Sequence, residues 1–227
     1  MPIRLPGGEL AHRPLHFFWI VDCSGSMSGE KIGKLNYAIQ DTIQPMRDSA
    51  KANPNAKLFI RVLKFSSGAQ WLTPKPENIE DFEWIPIDAN GMTDMGKAFS
   101  LLSDELQMPP MPERALPPVL VLLSDGQPTD EYEEPLKKLL SSPWGKKAVK
   151  VAISIGDDAV IQMLSKFTVN SEYVLKAENA KDLVKMIRWA STLAAKVSSP
   201  MSNSDGQGPI VIDPNSIPQS SADGDVW

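Results

Sequence analysis

Residues 15–29, LHFFWIVDCSGSMSG, run from an apolar stretch into an aspartate and then into small hydroxyl residues. His16 to Val21 are mostly aromatic or β-branched, which predicts a strand buried on both faces, as in a parallel sheet covered by helices. Asp22 stands at the carboxyl end of that strand. Ser24 and Ser26 alternate with Cys23 and Gly25. A tight loop can therefore turn Asp22 and both hydroxyls toward one point, with Gly25 relieving the backbone. Three hard oxygens suit a hard divalent cation, and Mg2+ in particular keeps some waters and takes only one or two carboxylates. Taken alone, the stretch is equally a strand-to-helix turn in which Ser26 or Ser28 caps the next helix.

Two later stretches favour the ion. Residues 117–124, PPVLVLLS, are a second buried strand ending in an aspartate, Asp125, followed by Gly126 and the turn residues Pro128 and Thr129. Between the two strands, residues 90–96, NGMTDMG, form a glycine-flanked loop that offers the Thr93 hydroxyl just ahead of a helical pattern. In an open α/β sheet, ligands gather outside the carboxyl ends of the strands, where the strand order reverses. Asp22, Ser24, Ser26, Thr93 and Asp125 are expected to meet there around one metal ion.

The set Asp22-x-Ser24-x-Ser26, Thr93 in Gly-x-Thr-x-x-Gly, and Asp125 in SDGQPTD resembles the metal-ion-dependent adhesion site of von Willebrand factor A domains. The resemblance covers about residues 15–196. It implies an α/β, Rossmann-like fold: a mostly parallel central sheet with one short antiparallel edge strand and helices on both faces. It also implies that the serines and the threonine contact Mg2+, with Mn2+ or Ca2+ as substitutes, while the aspartates act directly or through water. A partner protein would fill the last coordination position with an Asp or Glu carboxylate. The short chain and its LLSDGQPTD string look most similar to bacterial proteins of the tellurium-resistance type. That likeness implies an adaptor in a phosphorylation-linked stress system, with a protein kinase or a PP2C-type phosphatase as partner. A subunit of a chaperone or surface-display assembly is the alternative that the same family allows.

At 227 residues with 42% hydrophobic and 22% charged content, the chain fits one globular domain with a tail. The expected division is an arm over 1–14, the domain over 15–196 and a tail over 197–227. A net charge of -5 without a dense run of Lys or Arg argues against nucleic acid or an anionic membrane as partner. After Lys196 there are four aspartates, no basic residue, and abundant Ser, Pro and Gly. This composition predicts disorder, interrupted by an apolar island at 209–213 and by Trp227. The island reads as a solvated hydrophobic patch, with a strand-adding docking peptide as the alternative. The lone Cys23 excludes an intramolecular disulfide and fits a reducing compartment. The amino terminus lacks a signal-peptide core, and no apolar run reaches the roughly 18 residues of a membrane span. A cytoplasmic location is expected.

Elsewhere strand and helix patterns alternate. A helix is expected over 30–50, broken or kinked at Pro45. Strands follow at 56–65 and 69–72, then an irregular segment over 74–88 in which Trp84 and Ile85 return to the core. Helices are expected over 97–106, 131–140, 157–167 and 180–196, and strands over 150–155 and 172–175. Asp130 and Glu133 are placed as a capping box for the 131–140 helix, with Asp130 as a candidate to order water at the metal.

Enzymatic readings fail on inventory. Gly91 to Ala98 approximates a phosphate-binding loop, but Ala98 replaces the hydroxyl such a loop needs. The two histidines, His12 and His16, lie before or at the start of the first strand, away from Ser24 and Ser26, so no general base serves those hydroxyls. Ser24 also stands where an aspartyl-nucleophile phosphatase would carry a second aspartate. A binding module, not an enzyme, is the expectation.

Overall fold

The computed structural model describes residues 12–53, 56–156, 160–198 and 212–220. Seven strands form one sheet: β1 (Arg13–Asp22), β2 (Ala56–Ser66), β3 (Gly68–Trp71), β4 (Glu77–Asn78), β5 (Val119–Ser124), β6 (Val149–Ile155) and β7 (Val174–Ala177). Their order is β3-β2-β1-β5-β6-β7, and β4 pairs with β2. β1 is parallel to both β2 and β5, and β5, β6 and β7 continue in parallel. Only the short β3 and β4 run antiparallel, both against β2. The expected Rossmann-like sheet with an antiparallel edge is therefore the fold observed.

Among the described residues, six α-helices cover the sheet: α1 (Glu30–Lys51), α2 (Met95–Glu105), α3 (Glu133–Ser141), α4 (Pro143–Lys147), α5 (Ile161–Thr168) and α6 (Ala180–Ser198). Because successive side chains of a strand point to opposite faces, β1 feeds two cores at once. Phe17, Trp19 and Val21 pack with Leu35, Ile39 and Ile187 on the α1 and α6 side. Phe18 and Ile20 pack with Phe99, Leu102 and Phe167 on the α2 and α5 side. Each such side chain, fully withdrawn from water, stabilises the fold by roughly 1.5–3 kcal/mol. β1 is thereby held along its whole length, which fixes where Asp22 emerges.

Three local expectations are corrected. Pro45 does not interrupt α1, which runs through it as one helix. The ring removes one backbone donor, but Ile32, Leu35, Ile39, Ile43 and Met46, on both sides of it, are all buried, and that packing holds the two halves in one helix. In the irregular segment Trp84 is buried as expected, whereas Ile85 is largely exposed and Ile87 takes the buried place. The helix expected over 131–140 starts at Glu133, and a separate α4, capped by the Ser142 hydroxyl accepting from the Gly145 amide at 3.0 Å, follows it. The residues expected to open α5 at 157–159 lie outside the described residues.

Of the segment expected to be a tail, α6 takes the first two residues and 212–220 is also described. Ile212 is only 3% exposed and belongs to the core that contains Trp19, so its part of the apolar island is not the solvated patch expected. Ile217 packs on the same core. Lys185 Nζ donates to the Gln219 carbonyl at 3.0 Å, and Lys196 Nζ pairs with Ser216 Oγ at 3.2 Å. Ile210, Val211 and Trp227 lie outside the described residues, as does most of the amino-terminal arm. Ile212→Ala should lower the unfolding free energy by at least about 2 kcal/mol, as for other buried isoleucines. Urea denaturation measures it; an unchanged midpoint would place this segment off the domain.

Candidate metal centre

β1 and β5 are adjacent and parallel, with Val21 opposite Leu123, so Asp22 and Asp125 emerge side by side at the carboxyl edge. The sheet order also reverses here: β2 and β3 lie to one side of this pair, β6 and β7 to the other. All five expected residues are brought to this edge. Ser24 Oγ lies 3.0 Å from Ser26 Oγ, and Ser26 Oγ donates to Asp125 Oδ1 at 2.7 Å. A Cβ placed on Gly126 would lie 3.7 Å from both Ser26 Oγ and Thr93 Oγ1. The hydroxyls of the first and second loops therefore face each other across the glycine that follows Asp125. Asp22, Ser24, Thr93 and Asp125 are buried, while Ser26 is exposed, so the cluster opens outward at Ser26.

The two carboxylates differ in role. Asp22 is 0% exposed, accepting from the Ser24 amide at 2.8 Å through Oδ1 and from the Ser124 hydroxyl at 2.5 Å through Oδ2. Burial raises its carboxyl above the ordinary carboxylate range, against the lowering effect of the Ser124 and Ser24 hydrogen bonds. Asp125 accepts from Ser26 through Oδ1 and, through Oδ2, from Lys31 Nζ at 2.6 Å. Asp22 thus shapes the loop from beneath, and Asp125 lies nearer the opening. Among the described residues no three His, Cys, Asp or Glu side chains gather. The donor set is three hydroxyls and two carboxylates, which fits a hard oxygen-seeking cation and not a thiolate- or imidazole-bound one.

The loops are tied to one another by the backbone. The Cys23 amide donates to Phe65 O at 2.8 Å and the Asn90 amide to Cys23 O at 2.8 Å. The Gly25 amide reaches Gly91 O at 3.0 Å, and Asp94 N reaches Ser66 O at 2.9 Å. Gly91 has φ +79°, and a Cβ there would stand 2.5 Å from Ser67 Oγ, so only glycine fits this crossing. Thr93 is held from the third loop: its amide donates to Thr129 Oγ1 and its carbonyl accepts from the Thr129 amide, both at 2.9 Å.

Asp130 also has a different task from the one expected. Its carboxylate accepts from the Gly96 amide at 2.8 Å and the Lys97 amide at 2.9 Å. It therefore caps α2, the helix behind Thr93, from across the site; Glu131, not Asp130, accepts from the Glu133 amide at the start of α3. Cys23 is buried and its thiol is pushed up to about 12, first by burial and then by the Asp22 charge, so it packs under the loop as a small inert residue. His16 is buried near the opposite end of β1, six residues or roughly 20 Å from Asp22.

Ser124, Lys31, Thr129 and the capping role of Asp130 escape the sequence reading. Ser124 had a signal, being the last residue of a strand whose next residue is a ligand candidate. Lys31 had none, because it meets Asp125 across 94 residues of chain.

A von Willebrand factor type A domain model matches residues 18–189. No curated protein matches the chain. Among solved structures, similarity extends to a von Willebrand factor type A protein from Catenulispora acidiphila, at 17% identity, TM-score 0.58, 82% of this chain and 43% of that one. Proximal thread matrix protein 1 from the mussel byssus, with a zinc-occupied MIDAS motif, is 19% identical over 82% of this chain and 47% of its own, with TM-score 0.57. The pilus adhesin SpaC from Lactobacillus rhamnosus GG gives TM-score 0.66 at 13% identity, over 82% of this chain and 30% of its own. The chain spans less than half the length of each of these structures.

Proposed function

The chain belongs to the von Willebrand factor type A domain family, and from that premise we propose that it is a metal-dependent protein-interaction module. The observation that carries this reading is the convergence of Ser24, Ser26, Thr93 and Asp125 around Gly126, with Asp22 beneath them. Ser24, Ser26 and Thr93 would hold a divalent cation by their hydroxyls, and Asp22 and Asp125 would bind it directly or through water. Mg2+ suits a set with only two carboxylates; the zinc-occupied motif of the mussel protein makes Zn2+ a metal to test beside it. When bound, the cation supplies an electrophilic centre open to an oxygen anion. The protein residues orient the hydroxyls, exclude water below through the buried Asp22, and leave the Ser26 side accessible.

The partner proposed is a protein that presents an Asp or Glu on a surface loop. We read the module as non-enzymic, since His12 and His16 lie far from the hydroxyls. Among the described residues, no helix is long and apolar enough to cross a membrane. The buried free thiol of Cys23 fits a cytoplasmic adaptor. The LLSDGQPTD string supports the narrower proposal of a kinase- or PP2C-phosphatase-linked stress system of the tellurium-resistance type. The pilus adhesin among the similar folds keeps a surface-display assembly as the second reading.

Partner capture from a lysate of the source cells tests the module. Wild-type protein in Mg2+ should retain a partner that EDTA releases and that Thr93→Ala fails to hold. Ser141→Ala, on the exposed end of α3, should behave as wild type. Equal capture in all of these conditions would refute the metal-bridged mechanism.

A further inference from the structure

Lys31 Nζ stands 2.6 Å from Asp125 Oδ2; the Asp125 side chain is fully buried and that of Lys31 keeps 23% exposure. Lys31 is the second residue of α1, which leaves the Ser24–Ser28 loop directly. The helix that positions the first hydroxyls therefore also aims an ammonium at the second carboxylate. No other cation is paired with Asp125 among the described residues.

Resting on the metal-site reading above, we propose that Lys31 is a competitor built into the site, an ammonium that holds its divalent-cation affinity down. The site offers two negative charges, Asp22 and Asp125, and its other donors are neutral. The Lys31 charge cancels one of the two. Asp125 has one oxygen engaged by Ser26 and the other by Lys31, so a cation drawing on Asp125 either shares Oδ2 with the ammonium or displaces it. Both outcomes weaken binding: sharing sets a +2 and a +1 charge a few ångströms apart in a partly buried place where screening is weak, and displacement gives up a charge-assisted hydrogen bond. Removing the charge leaves both carboxylates to the metal alone. The partial exposure of Lys31 gives its ammonium a route to water, so the site remains competent, at reduced affinity.

Isothermal titration of MgCl2 and MnCl2 into wild type, Lys31→Met, Lys31→Gln and Lys34→Met tests this. Lys31→Gln keeps a donor for Asp125 without the charge, and Lys34 lies one turn further along α1, exposed. Both Lys31 variants should bind Mg2+ at least about ten-fold more tightly than wild type, and Lys34→Met within two-fold of it. A second readout is urea unfolding. In EDTA, Lys31→Met should be less stable than wild type because Asp125 is left buried without its cation; saturating Mg2+ should remove the deficit. Measurable wild-type binding with equal or weaker binding by both Lys31 variants overturns the inference and leaves the metal site standing. Uptake by none of the proteins overturns the metal-site reading itself and the inference with it.

Discussion

Replacing Asp22 by alanine should abolish Mg2+ binding, weakening it more than 100-fold, and should also destabilise the domain. The stability cost follows from the two hydrogen bonds the carboxylate accepts inside the protein, from the Ser24 amide and the Ser124 hydroxyl. Alanine leaves the buried Ser24 amide unpaired and the Ser124 hydroxyl with only its longer contact to the Gly126 carbonyl at 3.3 Å, at about 1–3 kcal/mol. Asp22 is therefore not a side chain that can be removed with the fold untouched, as its position at a strand end suggests. Asp22→Asn separates the two effects, since an amide oxygen still accepts one of these bonds while the charge is lost. Titration calorimetry and urea unfolding on both variants decide the matter. Wild-type metal affinity in Asp22→Ala would remove the residue from the site.

The second large effect is expected at a residue that offers no side-chain donor to the site, three positions after Thr93. A Cβ on Gly96 would fall inside the van der Waals envelope of the Glu131 carbonyl, and that neighbour is backbone, unable to swing aside. Gly96→Ala should therefore force α2 away from the loop after β5, breaking the Asp130 cap and the Thr93–Thr129 pair together. Overpacking of this kind costs about 3 kcal/mol, and the accompanying displacement of Thr93 should weaken Mg2+ binding by an order of magnitude. Gly33→Ala provides the contrast: nothing lies within 4 Å of a Cβ there, and Gly33 sits on an exposed face of α1. That substitution should raise stability by roughly 0.5–1 kcal/mol through helix propensity. If both alanine variants unfold at the same urea concentration as wild type, the close approach at Gly96 is not a feature of the protein in solution.

The parts of this molecule legible in its sequence are those written in local pattern. β1 and β5 announce themselves as unbroken apolar runs because each is buried on both faces, and the aspartates ending them mark the edge where a ligand would sit. The hydroxyls of Ser24, Ser26 and Thr93 are visible because small polar residues follow or precede such runs at fixed spacing. The parts that were not legible are contacts between distant segments. Lys31 reaches Asp125, Ser124 reaches Asp22 and Asp130 reaches Gly96, each across tens of residues. Local rules then point the wrong way: Asp130 is assigned to the helix that follows it, when it caps one that precedes it. Pro45 shows the converse, a local helix breaker overruled because the buried side chains of α1 fix both of its halves. Ile85 and Ile87 lie in a segment without a regular period, so no pattern distinguishes the inward from the outward residue.

The backbone bonds joining Cys23 to Phe65 and Asn90, Gly25 to Gly91 and Asp94 to Ser66 act as sutures between loops that would otherwise need an ion to gather them. The ordering of those loops is met when the chain folds, so little conformational freedom remains to be lost when a cation arrives. This is the opposite arrangement to a zinc finger, where withdrawing the metal dissolves the structure. On the proposed reading, a metal would leave and return while the scaffold stands. A contact made through it would behave as a latch, opened by chelation and closed again on the timescale of diffusion, without a refolding step between.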